Sequence, residues 1–238
     1  MRLNKFLSET GVCSRREADA WIEAGRVAVN GRRATLGVQV EAVDEVRVDG
    51  RAVGRRSRRH IYIALNKPVG VTCTTERHVA GNIIDFVGHR ERIFPIGRLD
   101  KDSEGLILLT SNGDIVNEIL RSENRHEKEY RVTVDRPLSD QCLAGMSRGV
   151  WLPELKQTTK PCRVTRVHGA RGEHVLRMVL TQGLNRQIRR MCAEFGYKVR
   201  RLQRIRIINI QLGRLPSGQW RELEQGELHG LLPQRTVW

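Results

Sequence analysis

Hydrophobic positions along the chain change their period near residue 26. Before it they sit at helical spacing, with Leu3, Phe6 and Leu7 on one face of a short helix. Ser14 and Glu17 form a capping box that satisfies the free N–H groups of a second helix. That helix is predicted to run through Trp21 and Ile22 and to stop at Gly25. The period then drops to two. Val27 and Val29 precede Asn30-Gly31, and Val46 and Val48 precede Asp49-Gly50. Both dipeptides are two-residue hairpin turns. Two helices and a small hairpin sheet therefore occupy the first 60 residues. From Arg51 to His60 the chain is polar and arginine-rich, which reads as a basic linker at about 51–60.

Strands dominate after residue 60. Ile61 to Leu65 is a short buried strand ending in the turn Asn66-Lys67-Pro68-Val69-Gly70. Asn82 to Val87 predicts a turn or two of helix. Phe94 and Ile96 flank Pro95, as on an edge strand. Leu106 to Thr110 is a continuous apolar run closed by Asn112-Gly113, and Asp114 to Leu120 reads as a helix. Glu129 to Val134 alternates as a strand, and Ser139 is placed to cap a helix through Leu143 and Met146. Strands are expected over Cys162–His168 and His174–Thr181, around a turn at Gly169–Gly172. An amphipathic helix is expected over Asn185–Phe195, then a long strand region over Val199–Leu212, a closing strand at Gln219–Leu223 and a short last helix before Leu232-Pro233. The pattern predicts an α+β fold with a mixed, mostly antiparallel sheet over 61–238, preceded by a small α/β module over 1–60.

Composition adds the partner. Lys and Arg number 42 against 27 Asp and Glu, a net charge of +15, and such an excess favours a polyanion. No apolar run reaches the roughly 18 residues of a membrane span, and no long basic amphipathic helix suits a membrane surface. The N-terminal residues lack an apolar signal core, so a cytoplasmic chain is expected. The five cysteines are scattered, without a C-x-x-C pair or histidines at zinc spacing, so neither a disulfide framework nor a metal is expected. Nothing in the pattern calls for a second subunit, and a monomer is expected.

The stretch Gly97-Arg98-Leu99-Asp100-Lys101-Asp102-Ser103-Glu104-Gly105 joins a charged loop to the buried run at Leu106. Asp100, Asp102, Glu104 and Gly105 match the opening of a calcium loop. Position 12 of that loop needs a bidentate acid, but here it is Ser111. The residues read either as acids neutralising nearby Arg98 and Lys101, or as a carboxylate carried to the rim of a cleft.

Motifs across the chain decide between these. Arg2–Leu7, Ser14–Ala18, Ile22–Val27 and Val29–Gly31 together resemble the S4 RNA-binding domain. Asn66-Lys67-Pro68-x-Gly70, Gly97-Arg98-Leu99-Asp100 with Ser103–Leu106, Glu129-Tyr130-x-Val132 and Gly183–Met191 resemble, in order, the motifs of pseudouridine synthases. The resemblance implies an RNA isomerase that turns uridine into pseudouridine without cofactor or metal. Asp100 is implied as nucleophile or base. Arg189 is expected to pair with it and keep it ionised. Tyr130 would hold the extruded base and help remove its C5 proton. Leu202 would form the apolar side of the base slot. Lys5, Arg15, Arg16, Arg26 and Arg32 of the first module, and Arg98, Arg186, Arg190 and Arg201 of the second, are candidate RNA contacts. Lys67 either meets a phosphate or caps its turn. The S4-tagged branch of this family implies a 23S ribosomal RNA stem–loop as partner. The uridine of a tyrosine-tRNA anticodon is a second target that the sequence leaves open.

Overall fold

The structure is a computed structural model that describes residues 1–54, 60–76, 78–120, 126–167 and 174–232. The chain divides into two compact units, Met1–His60 and Ile61–Trp238. In the first, α1 (Leu3–Glu9) and α2 (Arg15–Glu23) precede a four-stranded sheet. Its order is β2 (Arg32–Arg33), β1 (Val27–Val29), β3 (Val46–Val48) and β4 (Arg51–Ala52). The capping box at Ser14 and Glu17 is present. Asn30-Gly31 and Asp49-Gly50 both have positive φ at each residue, as a tight hairpin turn requires. Leu3, Phe6, Leu7, Ile22, Val27 and Val46 make the core. One expectation is corrected here. Arg51 and Ala52 belong to the sheet, where they pair with Val48 and Arg47, so the basic stretch does not begin as a linker. Residues 55–59 of that stretch lie outside the described residues.

The second unit is built on a nine-stranded sheet. Its strands are β5 (Tyr62–Lys67), β6 (Phe94–Ile96), β7 (Glu104–Thr110), β8 (Lys128–Val134), β11 (Arg163–Arg166), β12 (Val175–Leu180), β13 (Val199–Ile207), β14 (Ile210–Gln211) and β15 (Trp220–Glu222). The main path runs β11-β12-β8-β13-β7-β5-β15, with β14 on β13 and β6 on β7. Every pairing is antiparallel except β13 with β7, which is parallel and holds only Gln203 to Glu104 and Arg204 to Gly105. A small separate hairpin joins β9 (Trp151–Leu152) to β10 (Gln157–Thr158).

Helices cover both faces of the sheet. On one face α3 (Ile83–Val87), α5 (Asp140–Arg148) and α6 (Gln187–Glu194) pack through Ile83, Met146, Ile188 and Met191. On the other, α4 (Asp114–Leu120) and α7 (Gln225–Leu231) pack through Ile115, Ile119, Leu228 and Leu231. Leu106 to Leu109 alternate between these two cores and are essentially buried. Each such side chain contributes about 1.5–3 kcal/mol. That two-sided burial explains why the sequence there reads as an unbroken apolar run.

The expected long strand over Val199–Leu212 is broken. Ile208 has a φ of 53°, and the chain turns back so that Ile210 pairs with Ile207. The expected turn at Gly169–Gly172 lies outside the described residues.

Candidate active site

One lateral row of the sheet organises the site. The registers place Lys67, Gly105, Arg204, Tyr130 and Met178 opposite one another on β5, β7, β13, β8 and β12. Directly opposed residues share a face. Gly105 is required at the centre of this row. Its φ is +102°, and a Cβ there would run into the backbone of Arg204. Only glycine lets β7 and β13 come this close.

The loop between β6 and β7 carries Asp100 above the row. The Ser103 amide donates to the Asp100 carbonyl at 3.0 Å, and the Gly70 amide donates to the Lys101 carbonyl at 2.8 Å. These bonds tie the loop to itself and to the Pro68–Gly70 turn. Lys67 is fully buried, and its ammonium donates to the carbonyls of Pro68 at 2.8 Å and Val71 at 2.9 Å. It caps the turn, which corrects the expectation of a phosphate contact: no face of it reaches solvent. Burial pushes its pKa down, while the charges of Asp102 and Asp100 work in the other direction.

The arginine expected beside Asp100 goes elsewhere. Arg189 on α6 places Nε 3.3 Å from an Asp102 carboxylate oxygen and donates from Nη2 to the Asp102 carbonyl at 2.9 Å. Arg186 grips the same carboxylate through both terminal nitrogens, at 3.2 and 2.9 Å. Burial pushes the Asp102 carboxyl up, but Arg186 and Arg189 outweigh it and hold the group below the usual carboxylate range. Among the described residues, none donates a hydrogen bond to the Asp100 carboxylate. The chain turns between the two acids, closed by the Ser103 amide on the Asp100 carbonyl, and Asp102 is the one that meets α6.

A cleft of about 760 Å³ opens between this loop, the sheet face and the segment leading into α6. Asp100, Arg98, Tyr130, Leu202, Lys128 and Arg204 all line it. Tyr130 and Leu202 are buried at its wall. Such a volume is in the range of small-ligand sites. Arg189 is absent from its lining and sits behind it with Arg186, which reaches both sides.

Half of the other candidates are ion-paired. Arg190 pairs with Glu154, and Arg201 with Glu104 at 2.6 Å. In the first unit Arg26 holds Asp49 at 2.6 Å and stacks over Trp21, and Lys5 lies 3.4 Å from Glu9. Arg15, Arg16, Arg32 and Arg98 are exposed.

Sequence reasoning missed Lys128 and Arg204. Each is two residues from a residue already chosen, Tyr130 and Leu202, and strand alternation puts both on the cleft face. Arg204 is 3% exposed. Its Nε donates to the Leu106 carbonyl at 2.7 Å and its Nη1 to the Arg98 carbonyl at 3.4 Å. Burial and the charge of Arg204 bring the Lys128 ammonium down to about 8.

A loop carboxylate, an aromatic wall and a basic rim at a sheet seam are the parts of a nucleoside-modifying site, and comparison with known proteins gives the class. Residues 61–194 match the RNA pseudouridylate synthase family and residues 1–46 the S4 domain. The chain belongs to the pseudouridine synthase family and isomerises uridine in RNA. It is similar to the dual-specificity RNA pseudouridine synthase RluF of Escherichia coli O6:H1, 55% identical over 96% of this chain and 77% of that one. It is 33% identical to ribosomal large subunit pseudouridine synthase B of Bacillus subtilis, over 97% of this chain and 95% of the relative. A crystal structure of a pseudouridylate synthase superposes with a TM-score of 0.70 at 29% identity, covering 97% of this chain and 99% of its own.

Among the described residues, no group of three His, Cys, Asp or Glu side chains is placed to hold a metal ion. No helix among them is long and apolar enough to cross a membrane.

Proposed function

We propose that the chain acts as a cytoplasmic monomer on a stem–loop of 23S ribosomal RNA, with Asp100 as the group that attacks or deprotonates the target nucleotide. The relative named as dual-specificity supports a second RNA substrate, and the tyrosine-tRNA anticodon is the candidate. Tyr130 and Leu202 flank the extruded base. Exposed arginines, of which Arg98 lies at the cleft mouth, meet the phosphates.

The observation that carries the role of Asp100 is the division of labour in its loop. Asp102 takes Arg189 of α6 and Arg186 just before that helix. Asp100 lines the cleft with its carboxylate uncommitted. Arg189 acts through Asp102 and the loop backbone, as a positioning residue. Extruding a base costs a few kcal/mol, least in loops and bulges, and phosphate contacts offset that cost. A structured loop is therefore a better substrate than plain duplex.

The test is Asp100→Asn. Tritium release from 5-labelled uridine in RNA should fall by at least about 10³-fold, as for loss of a covalent or general-base group. RNA affinity should stay near wild type. Release at the wild-type rate would falsify the assignment.

A further inference from the structure

The cleft floor holds two cations whose presence the reading above does not explain. Arg204 is buried, and its Nη2 has no hydrogen-bond partner. Buried polar groups are nearly always paired. Lys128 lies on the same sheet face, its only described hydrogen bond a long one of 3.4 Å to the His126 carbonyl. Among the described residues no carboxylate pairs with either. Both line the cleft beside Tyr130. Arg204 is directly opposite Tyr130 across the β8–β13 ladder, and Lys128 is two residues along the same strand. Opposed residues in a ladder have Cβ atoms about 4.5–5.5 Å apart. Both residues therefore stand beside Tyr130 on the face that lines the cleft.

We propose that Lys128 and Arg204 form an anion-accepting floor that takes the negative charge of the uracil while it is detached from the ribose. This rests on the isomerase reading above. When the C1′–N1 bond breaks, its electron pair leaves with the base. The detached uracil is an anion, with charge spread over N1 and the carbonyl oxygens. Forming the C1′–C5 bond, losing the C5 proton and protonating N1 restores a neutral base. No oxidant, reductant or co-reactant enters. The charge exists only in mid-reaction, which is where preorganised donors in a dry site act most strongly. The exposed Arg98, which also lines the cleft, is the better placed partner for a backbone phosphate.

The test uses the full chain and a 23S ribosomal RNA transcript, with single-turnover formation of pseudouridine as readout. Lys128→Met should slow that step by about 100-fold, the usual effect of removing one such donor. RNA affinity should hardly change, because the contact forms only during the reaction. The melting temperature should hold or rise, since a half-buried charge without a carboxylate partner has been removed. Lys128→Arg, which keeps the charge, should retain most of the rate. A rate within a few-fold of wild type for Lys128→Met overturns the proposal. So does loss of affinity with a salt slope smaller by about one, which marks a phosphate contact. Should Lys128→Met unfold, a Lys128→Arg variant as slow as Asp100→Asn also overturns it. If the wild-type chain forms no pseudouridine in that transcript or in cellular RNA, the isomerase reading itself fails and the proposal goes with it.

Discussion

The rim and the floor of the cleft carry the same sign of charge but treat it in opposite ways. At the rim and in the ground around it, Arg186, Arg189, Arg190 and Arg201 each face an acid: Asp102, Asp102 again, Glu154 and Glu104. At the floor, Lys128 and Arg204 have backbone carbonyls or nothing. A paired arginine at the surface is nearly neutral to the fold and can exchange its acid for a phosphate. A cation without a carboxylate in the interior costs stability unless something else repays it. The rim is thus suited to binding an RNA backbone, and the floor is kept for charge that appears later.

The floor should tolerate change far less than the rim. Gly105→Ala is expected to have the largest effect. A Cβ at φ +102° meets the Arg204 backbone and forces β7 from β13. A loss of more than about 3 kcal/mol is expected from such strain and clash, read as a lower urea midpoint. A loss under about 1 kcal/mol would show that the seam is looser than the comparison requires.

The pH response is intermediate. Burial, with Arg204 nearby, brings Lys128 down to about 8 from its ordinary 10.5. Its charge is therefore lost as pH rises through about 8. The single-turnover rate should fall by up to about tenfold per unit above that value, and less so in Lys128→Arg. Stability should move the other way. Between about 8 and 10.5 the unfolded chain binds more protons than the folded one, so this group makes stability rise with pH there. A rate flat from pH 7 to 9.5 would remove Lys128 from the reacting centre.

The smallest effect belongs to the rim. Arg201→Ala breaks a pair whose arginine is 63% exposed. Stability should drop by less than about 1 kcal/mol. RNA affinity should weaken alike for all sequences, with a salt slope reduced by about one. A large loss of rate at unchanged affinity would put this arginine in the floor's category.

What could be read from the sequence was local. The capping box at Ser14, the turns at Asn30-Gly31 and Asp49-Gly50, and the helix ending near Glu194 are all set by neighbours a few residues apart. The apolar run Leu106–Leu109 announced a strand buried on both sides. Longer-range facts were out of reach. Arg51-Ala52 is too short to show an alternation, so its place at the sheet edge was invisible. The same holds for Trp151-Leu152 and Gln157-Thr158. The motifs placed Asp100 and Tyr130 in order, and the structure sets both in one cleft with Leu202, which lies outside them. They could not say whether Arg189 reaches Asp100 or Asp102, because both acids share the loop and only the approach of α6 selects between them. Lys128 and Arg204 were legible in principle, by counting two from Tyr130 and Leu202.

The parallel pairing of β7 with β13 also bears on how the molecule comes into being. It joins residues about a hundred positions apart through only two residue pairs. The pairings of β6 with β7 and of β13 with β14 close over short stretches of chain and can form early. Closing the long loop between Gly105 and Arg204 must wait for the later residues, and its entropy cost is recovered only when β13 docks. During synthesis Asp100 therefore emerges well before Arg204 exists to form the floor beside it. The enzyme is expected to stay inert toward RNA until β13 has left the ribosome. Amide exchange on stalled nascent chains should show the β7 edge gaining protection last.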